Sequence, residues 1–274
     1  MVMLKFGKEL IFSLLVVLLL LSSTATCCAQ VEVHAYGNLP AQTLSVCLPS
    51  DQAKGRPGVL LIHGGGWTGG DKSSLRGRCE AFARNGIVSA TMNYRLADPS
   101  DPSTRWPAQL DDARAALQWM IRHSGELGLN PGHICVYGES AGGHIALWLG
   151  IGDKRVAGVI DAFGPTDLGR LDKRFERALN ALAGDASYSH DLHAASPVWY
   201  VHSDMPPTLI IQGETDDLVL PDHSNALYDK MKSKGAPVTM IKYPGGHSWA
   251  NLKPDLLDAI TAQTISFIIT APDR

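Results

Sequence analysis

Six short apolar runs, each separated from the next by a stretch with helical periodicity, constrain the fold of this chain more than any other feature. Because the runs are apolar almost throughout, each is expected to be a strand buried on both faces. Such strands alternating with helices are typical of an α/β fold, a mainly parallel central sheet with helices on both faces. The runs are Val59–Ile62, Ile87–Met92, His133–Tyr137, Val156–Phe163, Thr208–Gln212 and Val238–Tyr243.

Two earlier segments, Val31–Tyr36 and Gln42–Leu48, alternate apolar and polar residues on either side of a turn at Gly37–Pro40. This pattern predicts an antiparallel hairpin. The stretch Thr166–Asp204 is long for a connection in a compact domain and predicts a short insertion beside the functional site. Helical periodicity marks Trp106–Ile121, Leu218–Lys234 and Pro254–Ile269.

The first 29 residues have the pattern of a signal peptide. Lys5 and Lys8 precede the apolar run Leu10–Leu21, and small residues follow up to Ala29. We expect cleavage after Ala29, a secreted or periplasmic protein and one domain over residues 30–274. An uncleaved anchor, or a lipoprotein at one of the adjacent cysteines, is the alternative.

Charge and cysteine content exclude several function classes. The net charge of −3 disfavours nucleic acid as a partner. Cys47, Cys79 and Cys135 are too few and too scattered for a zinc site or a disulfide framework. We expect them to be small buried hydrophobic residues, with one disulfide as the alternative.

The segment Gly138–Gly142 has G-x-S-x-G spacing between an apolar strand and a predicted helix, Ala141–Gly150. A sharp strand-to-helix turn exposes its central serine, and flanking glycines avoid clashes there. Ser140 is therefore the candidate nucleophile.

Three glycines follow the strand Val59–Ile62 in the sequence His63-Gly-Gly-Gly-Trp67. Without side chains, their N–H groups can point at a common spot and hold a developing negative charge. We expect Gly65 and Gly66 to form an oxyanion hole with the N–H of Ala141, although the spacing leaves the choice of glycines open by one position. His63 is expected to shape this loop.

A serine nucleophile needs a base, which is itself oriented by a third group. Among ten histidines, His247 follows the last predicted strand directly. The loop after Thr208–Gln212 offers Asp216, our choice, with Asp217 and Glu214 as alternatives. The order Ser, Asp, His along the chain is that of α/β-hydrolases.

From Val31 onward the chain resembles α/β-hydrolases of the esterase/lipase superfamily. It looks similar to secreted bacterial acetylxylan and feruloyl esterases, which deacylate plant polysaccharides, and to hormone-sensitive-lipase-like carboxylesterases. Gln212 and Trp249 depart from the pattern, since His and Phe are more usual there. The resemblance rests on His63–Trp67, Gly70–Lys72, Asn93–Leu96, Trp106–Asp112, Gly138–Gly143, Gly164–Asp167, Gly213–Asp216 and Gly245–His247.

The resemblance implies an α/β-hydrolase fold and a secreted serine carboxylesterase acting through an acyl-enzyme, with no metal or cofactor. The expected partner is a small ester or acylated carbohydrate, with no nucleic acid and no membrane after signal cleavage; the oligomeric state stays open. Alternatives are a general short-chain carboxylesterase or lipase, a formamidase-like amidase and a non-catalytic binding protein. Four aromatic residues are expected to bind substrate, namely Trp67, Tyr94, Trp199 and Trp249.

Overall fold

The structure, a computed structural model, describes residues 31–51, 53–184 and 189–274. The predicted signal peptide, residues 1–29, lies outside the described residues. Within the part that is described, no helix combines the length and the apolar character needed to cross a membrane.

The described chain is built on one eight-stranded sheet with the order β1-β2-β4-β3-β5-β6-β7-β8. Strands β1 and β2 form the predicted antiparallel hairpin, which joins β4 in antiparallel orientation, and all remaining pairs are parallel. The prediction of a mainly parallel sheet is confirmed. The strands are β1 Val31–Ala35, β2 Thr43–Cys47, β3 Arg56–Ile62, β4 Val88–Met92, β5 Leu129–Glu139, β6 Val156–Ala162, β7 Thr208–Gly213 and β8 Val238–Tyr243.

Helices cover both faces of the sheet, as predicted. Leu60 and Ile62 of β3 belong to a hydrophobic cluster with α2, α4 and α7, whereas Val59 and Leu61 belong to a second cluster with α1 and α8. This division follows from the alternation of side chains along a strand. The helices are α1 Arg76–Arg84, α2 Ala108–Arg122, α3 Ser124–Leu127, α4 Ala141–Gly152, α5 Glu176–Ala183, α6 Ser189–Ala194, α7 Asp222–Lys234 and α8 Pro254–Thr270.

Helix α7 begins at Asp222, four residues later than the sequence predicts. The carboxylate of Asp216 accepts hydrogen bonds from the N–H groups of Leu218, at 3.0 Å, and Val219, at 2.9 Å. These bonds hold the chain after β7 in a turn, so the helix cannot start there. The apolar periodicity at Leu218 therefore belongs partly to a loop.

The predicted insertion, residues 166–204, contains α5, α6 and several 3-10 turns between β6 and β7. Leu179 and Leu182 of α5 are buried in the core. Phe175, just before α5, lines the same cavity as Ser140. The insertion thus lies beside the candidate site, as predicted.

Cys47 of β2 and Cys79 of α1 form a disulfide with a Cα–Cα distance of 5.9 Å. The expectation that all three cysteines are free is therefore wrong, and the alternative of one disulfide is correct. Cys135 is buried and free, and burial raises the pKa of its thiol to about 12. A thiol with so high a pKa is a poor nucleophile at neutral pH.

Candidate active site

Ser140 lies at the sharp turn between β5 and α4, with φ 54° and ψ −121°. A Cβ atom on Gly138 would clash with the carbonyl of Gly142, and one on Gly142 would clash with the carbonyl of Ile62. Glycine is required at both positions because the backbones meet directly. The turn therefore holds Ser140 in a strained conformation at the N-terminus of a helix.

His247 connects Ser140 to Asp216. Its Nε2 lies 2.8 Å from Oγ of Ser140, and its Nδ1 lies 2.7 Å from Oδ2 of Asp216. In the neutral imidazole, Nδ1–H donates to the carboxylate and Nε2 accepts the serine proton. The alternative acid, Asp217, has a side chain that is 89% exposed, whereas the Asp216 side chain is fully buried.

Gln212, one of the two residues that depart from the pattern of the resembled family, contacts the triad. Its Nε2 donates to Oδ2 of Asp216 at 3.2 Å and also lies within bonding distance of the carbonyls of Gly213 and Val219. The hydroxyl of Ser224 donates to its Oε1 at 2.7 Å. No sequence pattern predicted this role, because the sequence alone does not show which groups a buried amide side chain contacts.

Backbone contacts between two loops fix the position of His247. The N–H of Thr215 donates to the carbonyl of Gly245 at 3.0 Å, and the hydroxyl of Tyr243 donates to the carbonyl of Gly246 at 2.9 Å. The ring of Phe163 packs edge-on against the imidazole at 4.9 Å. These contacts pack the loop that carries His247 against the loop that carries Asp216.

The glycine-rich loop after β3 borders the cavity that contains Ser140. Gly65 and Gly66 have φ values of 117° and 58°, which favour glycine. No acceptor among the described residues is hydrogen-bonded to the N–H of Gly65, Gly66 or Ala141. These N–H groups are thus available to an oxyanion formed at Ser140.

This cavity has a volume of about 510 Å³. Trp249 lines it, together with several residues that the sequence did not single out. Its apolar lining is Phe163, Phe175 and Leu218, and its polar lining beyond the triad and the glycines is Ser74, Glu139 and Ser248.

Trp67 and Tyr94 do not line the cavity, so their prediction as substrate-binding residues is wrong. Both side chains are buried, with 0% and 1% exposure. The indole N–H of Trp67 donates to His144, and the Tyr94 hydroxyl donates to the carbonyl of His63. They support the glycine-rich loop from inside the core.

Trp199 also lies outside the Ser140 cavity. It is half exposed and lines a different cavity with Asp167 and Lys230. Its ring stacks on His193 at 5.0 Å. The prediction that Trp199 contacts the same substrate is therefore corrected.

The other buried histidines near the site serve structure. Burial lowers the pKa of His144 and of His223 to about 4, so both are neutral near pH 7. His144 hydrogen-bonds the carbonyl of Ala195, and Nδ1 of His223 accepts from the N–H of Thr166. His63 donates from Nδ1 to the carbonyl of Gly64, in line with its predicted role in shaping the loop.

The sequence model of the BD-FAE family matches residues 44–231, well over half of the chain. The chain belongs to the BD-FAE family. It is an α/β-hydrolase, and its strand order, glycine-rich loop and strand-to-helix serine turn fit the esterase group within that superfamily.

Curated relatives of this BD-FAE chain are named as esterases. Esterase LipQ of Mycobacterium tuberculosis is 26% identical over 239 residues, covering 79% of this chain and 56% of the relative. The chain spans about half the length of the first two curated relatives that it matches, 56% of one and 48% of the other.

Solved structures confirm the fold of the BD-FAE chain. A structure titled "Truncated form of carbohydrate esterase from gut microbiota" superposes with a TM-score of 0.76 at 22% identity, covering 89% of this chain and 98% of the other. Thermogutta terrifontis esterase 2 phosphonylated by sarin gives a TM-score of 0.75 at 23% identity, with coverages of 86% and 93%.

Proposed function

We propose that this chain is a secreted serine carboxylesterase that removes acetyl or feruloyl groups from plant polysaccharides. The observation that carries the proposal is the line of hydrogen bonds from Ser140 through His247 to the buried Asp216. A serine hydroxyl becomes a useful nucleophile only when such a base lies within hydrogen-bond reach.

The proposed reaction is a two-step acyl transfer. Nε2 of His247 takes the proton of Ser140 as Oγ bonds to the ester carbonyl carbon, and the resulting oxyanion lies against the backbone N–H groups. The bond to the alcohol then breaks, and His247 gives the proton to the leaving oxygen. Water, deprotonated by His247, attacks the acyl-serine, which releases the carboxylic acid and returns the proton to Ser140.

The polysaccharide part of the proposal is supported by the likeness to a structure titled as a carbohydrate esterase. The apolar lining of the cavity is suited to an acyl group. Export is supported by the pattern of residues 1–29 and by the buried disulfide, because disulfides persist mainly in oxidising compartments.

A general short-chain carboxylesterase is the second candidate. It is favoured by the curated relatives, whose names specify an esterase without a carbohydrate substrate. The two candidates share the chemistry of Ser140 and differ in the alcohol that they release.

Hydrolysis of p-nitrophenyl acetate tests the chemistry. We expect Ser140→Ala and His247→Ala each to lose about 10⁴-fold or more in kcat. Wild-type turnover no faster than that of Ser140→Ala would contradict the enzyme proposal.

The substrate is tested by release of acetate and ferulate from acylated xylan oligosaccharides, compared with hydrolysis of p-nitrophenyl esters of increasing chain length. We expect efficient release from the oligosaccharides. A preference for acyl chains of about eight carbons or more would overturn the polysaccharide proposal.

A further inference from the structure

Glu139, which immediately precedes Ser140, has one carboxylate oxygen engaged and one available. Its Oε1 accepts from the Tyr137 hydroxyl at 2.6 Å and from the Trp249 indole N–H at 2.7 Å, and it lies 3.4 Å from Nε of Arg78. Among the described residues, no donor is hydrogen-bonded to Oε2. Because Glu139 lines the cavity and its side chain is 18% exposed, this oxygen is open to a ligand.

The surroundings hold Glu139 in one position. Burial raises the pKa of Tyr137 well above its ordinary value, so its hydroxyl stays protonated and keeps donating. The Trp249 ring packs against Tyr243 at 5.4 Å and against the Arg78 guanidinium at 4.8 Å. The acceptor is therefore built into the cavity wall and needs no ordering when substrate binds.

The charges around Glu139 indicate which substrate group its open oxygen can bind. The Arg78 guanidinium, with a side chain only 11% exposed, lies 3.4 Å from Oε1 and offsets part of the negative charge of Glu139. A neutral hydroxyl gains a charge-assisted hydrogen bond from such an acceptor. The structure thus favours a hydroxyl over a second carboxylate, which Oε2 would repel.

The position of Glu139 relative to His247 indicates which part of the substrate carries the hydroxyl. His247 protonates the leaving oxygen, so the alcohol part of the ester lies next to it. Trp249, two residues beyond His247, is one of the two donors that hold Glu139, which lines the cavity together with His247. The apolar residues Phe175 and Leu218 remain for the acyl group.

We propose that Oε2 of Glu139 accepts a hydrogen bond from a free hydroxyl of the alcohol part of the substrate, as a partly acylated sugar ring would supply. This inference rests on the proposed esterase function and assigns Glu139 as a specificity-determining residue. Trp249 then acts by fixing Glu139, which gives a physical reason for tryptophan where phenylalanine, lacking an N–H, is more usual.

The test compares two synthetic esters of a methyl xyloside. One carries a free hydroxyl beside the acetylated carbon, and the other carries hydrogen in its place. We measure the ratio of their kcat/KM values, divided by the ratio of their alkaline hydrolysis rates. We expect wild type to favour the hydroxyl-bearing ester about tenfold to a hundredfold, as for a hydrogen bond to a charged group.

Glu139→Gln should reduce this preference by about tenfold, because an amide keeps an acceptor for Trp249 but presents an uncharged NH₂ group in place of Oε2. Glu80→Gln is the matched control: Glu80 also pairs with an arginine, Arg76, at 2.9 Å, but lies on α1 outside the cavity. The control should keep the wild-type ratio. If Glu139→Gln does not fold, Trp249→Phe takes its place, because it removes one of the donors that hold Glu139 and should also reduce the preference.

The role of Glu139 is overturned if wild type hydrolyses both xyloside esters without preference, or if Glu139→Gln keeps the wild-type preference. Either result leaves the carboxylesterase proposal standing. Failure to hydrolyse either xyloside ester, alongside turnover of p-nitrophenyl acetate, overturns both this inference and the polysaccharide substrate.

Discussion

The side-chain amide of Gln212 donates to Oδ2 of Asp216, the same oxygen that accepts from His247. Three acceptors surround the NH₂ group of Gln212, whereas its Oε1 faces the Ser224 hydroxyl. This pattern fixes the orientation of the amide, because the reverse orientation would place oxygen against oxygen. Gln212 is thus a positioning residue for the catalytic carboxylate.

We expect Gln212→Met to lower kcat/KM for p-nitrophenyl acetate about tenfold, since one hydrogen bond to a buried charge is lost. Without that donor, Asp216 interacts more strongly with protonated His247, so the acid limb of the pH–rate profile should move to higher pH. Gln109→Met is the control. Gln109 is equally buried and also donates to two main-chain carbonyls, but it does not contact the triad. A loss of rate without movement of the acid limb would indicate a structural role alone.

Glycine substitutions at two sites should change stability in opposite directions. Gly142→Ala places a methyl group against the carbonyl of Ile62 and should destabilise the fold by about 2 kcal/mol or more, with loss of activity. Gly77 lies in α1, and apart from the neighbouring backbone of that helix no atom of the described chain lies within 4 Å of a methyl group added there, so Gly77→Ala should stabilise by about 0.5 to 1 kcal/mol. Urea unfolding measures both. Equal free energies of unfolding for the two variants would contradict the packing of the strand-to-helix turn.

The buried Asp161 should make stability depend on pH. Burial raises its pKa from an ordinary 3.8 to about 7. The folded state therefore holds a proton that the unfolded state has lost, so stability from this group is full below about pH 4 and falls as the pH rises to about 7. The total loss is on the order of 4 kcal/mol.

Asp161→Asn mimics the protonated carboxyl, so its free energy of unfolding should not fall with pH through ionisation at this position. We expect its free energy of unfolding, minus that of wild type, to rise between pH 4 and pH 7 and then level off. A difference that is constant across this range would show that Asp161 ionises in the folded protein as it does in the unfolded chain.

Removing the disulfide should destabilise the hairpin edge of the sheet. The Cys47→Ser, Cys79→Ser double variant loses a link between residues separated by 32 positions. The chain-entropy effect for a loop of this size is about 3.7 kcal/mol. Thermal unfolding with and without reductant checks this, and Cys135→Ser provides a control that leaves the link intact. Equal melting temperatures for wild type and the double variant would contradict the expectation.

Local sequence pattern was sufficient for the sheet and for the three residues that the structure brings together as a triad. Strand β6 begins at Val156, as its apolar run predicts, and all of its residues are buried, since a strand covered by helices on both faces must be apolar. Ser140 was identifiable because a clash-free turn requires glycines at fixed positions. The start of α7 could not be predicted from the sequence, because the side chain of Asp216 holds the backbone before the helix in a turn.

The direction in which loop side chains point was harder to predict from the sequence. Trp67 and Trp249 both stand beside strand ends, yet one enters the core and the other borders the cavity. A single sequence does not tell which way a loop aromatic turns. The contacts of Gln212, and the pairing of Cys47 with Cys79, likewise depend on tertiary packing between segments distant along the chain.

Ser140 and His247 are separated by 107 positions, and His247 follows the last strand. A chain that has not yet paired β8 with β7 has a nucleophile but no base. Hydrolytic activity is therefore a sensitive indicator of complete refolding: after dilution from denaturant, it should recover no faster than the slowest step that docks the final strand, even when spectroscopic helix content returns earlier.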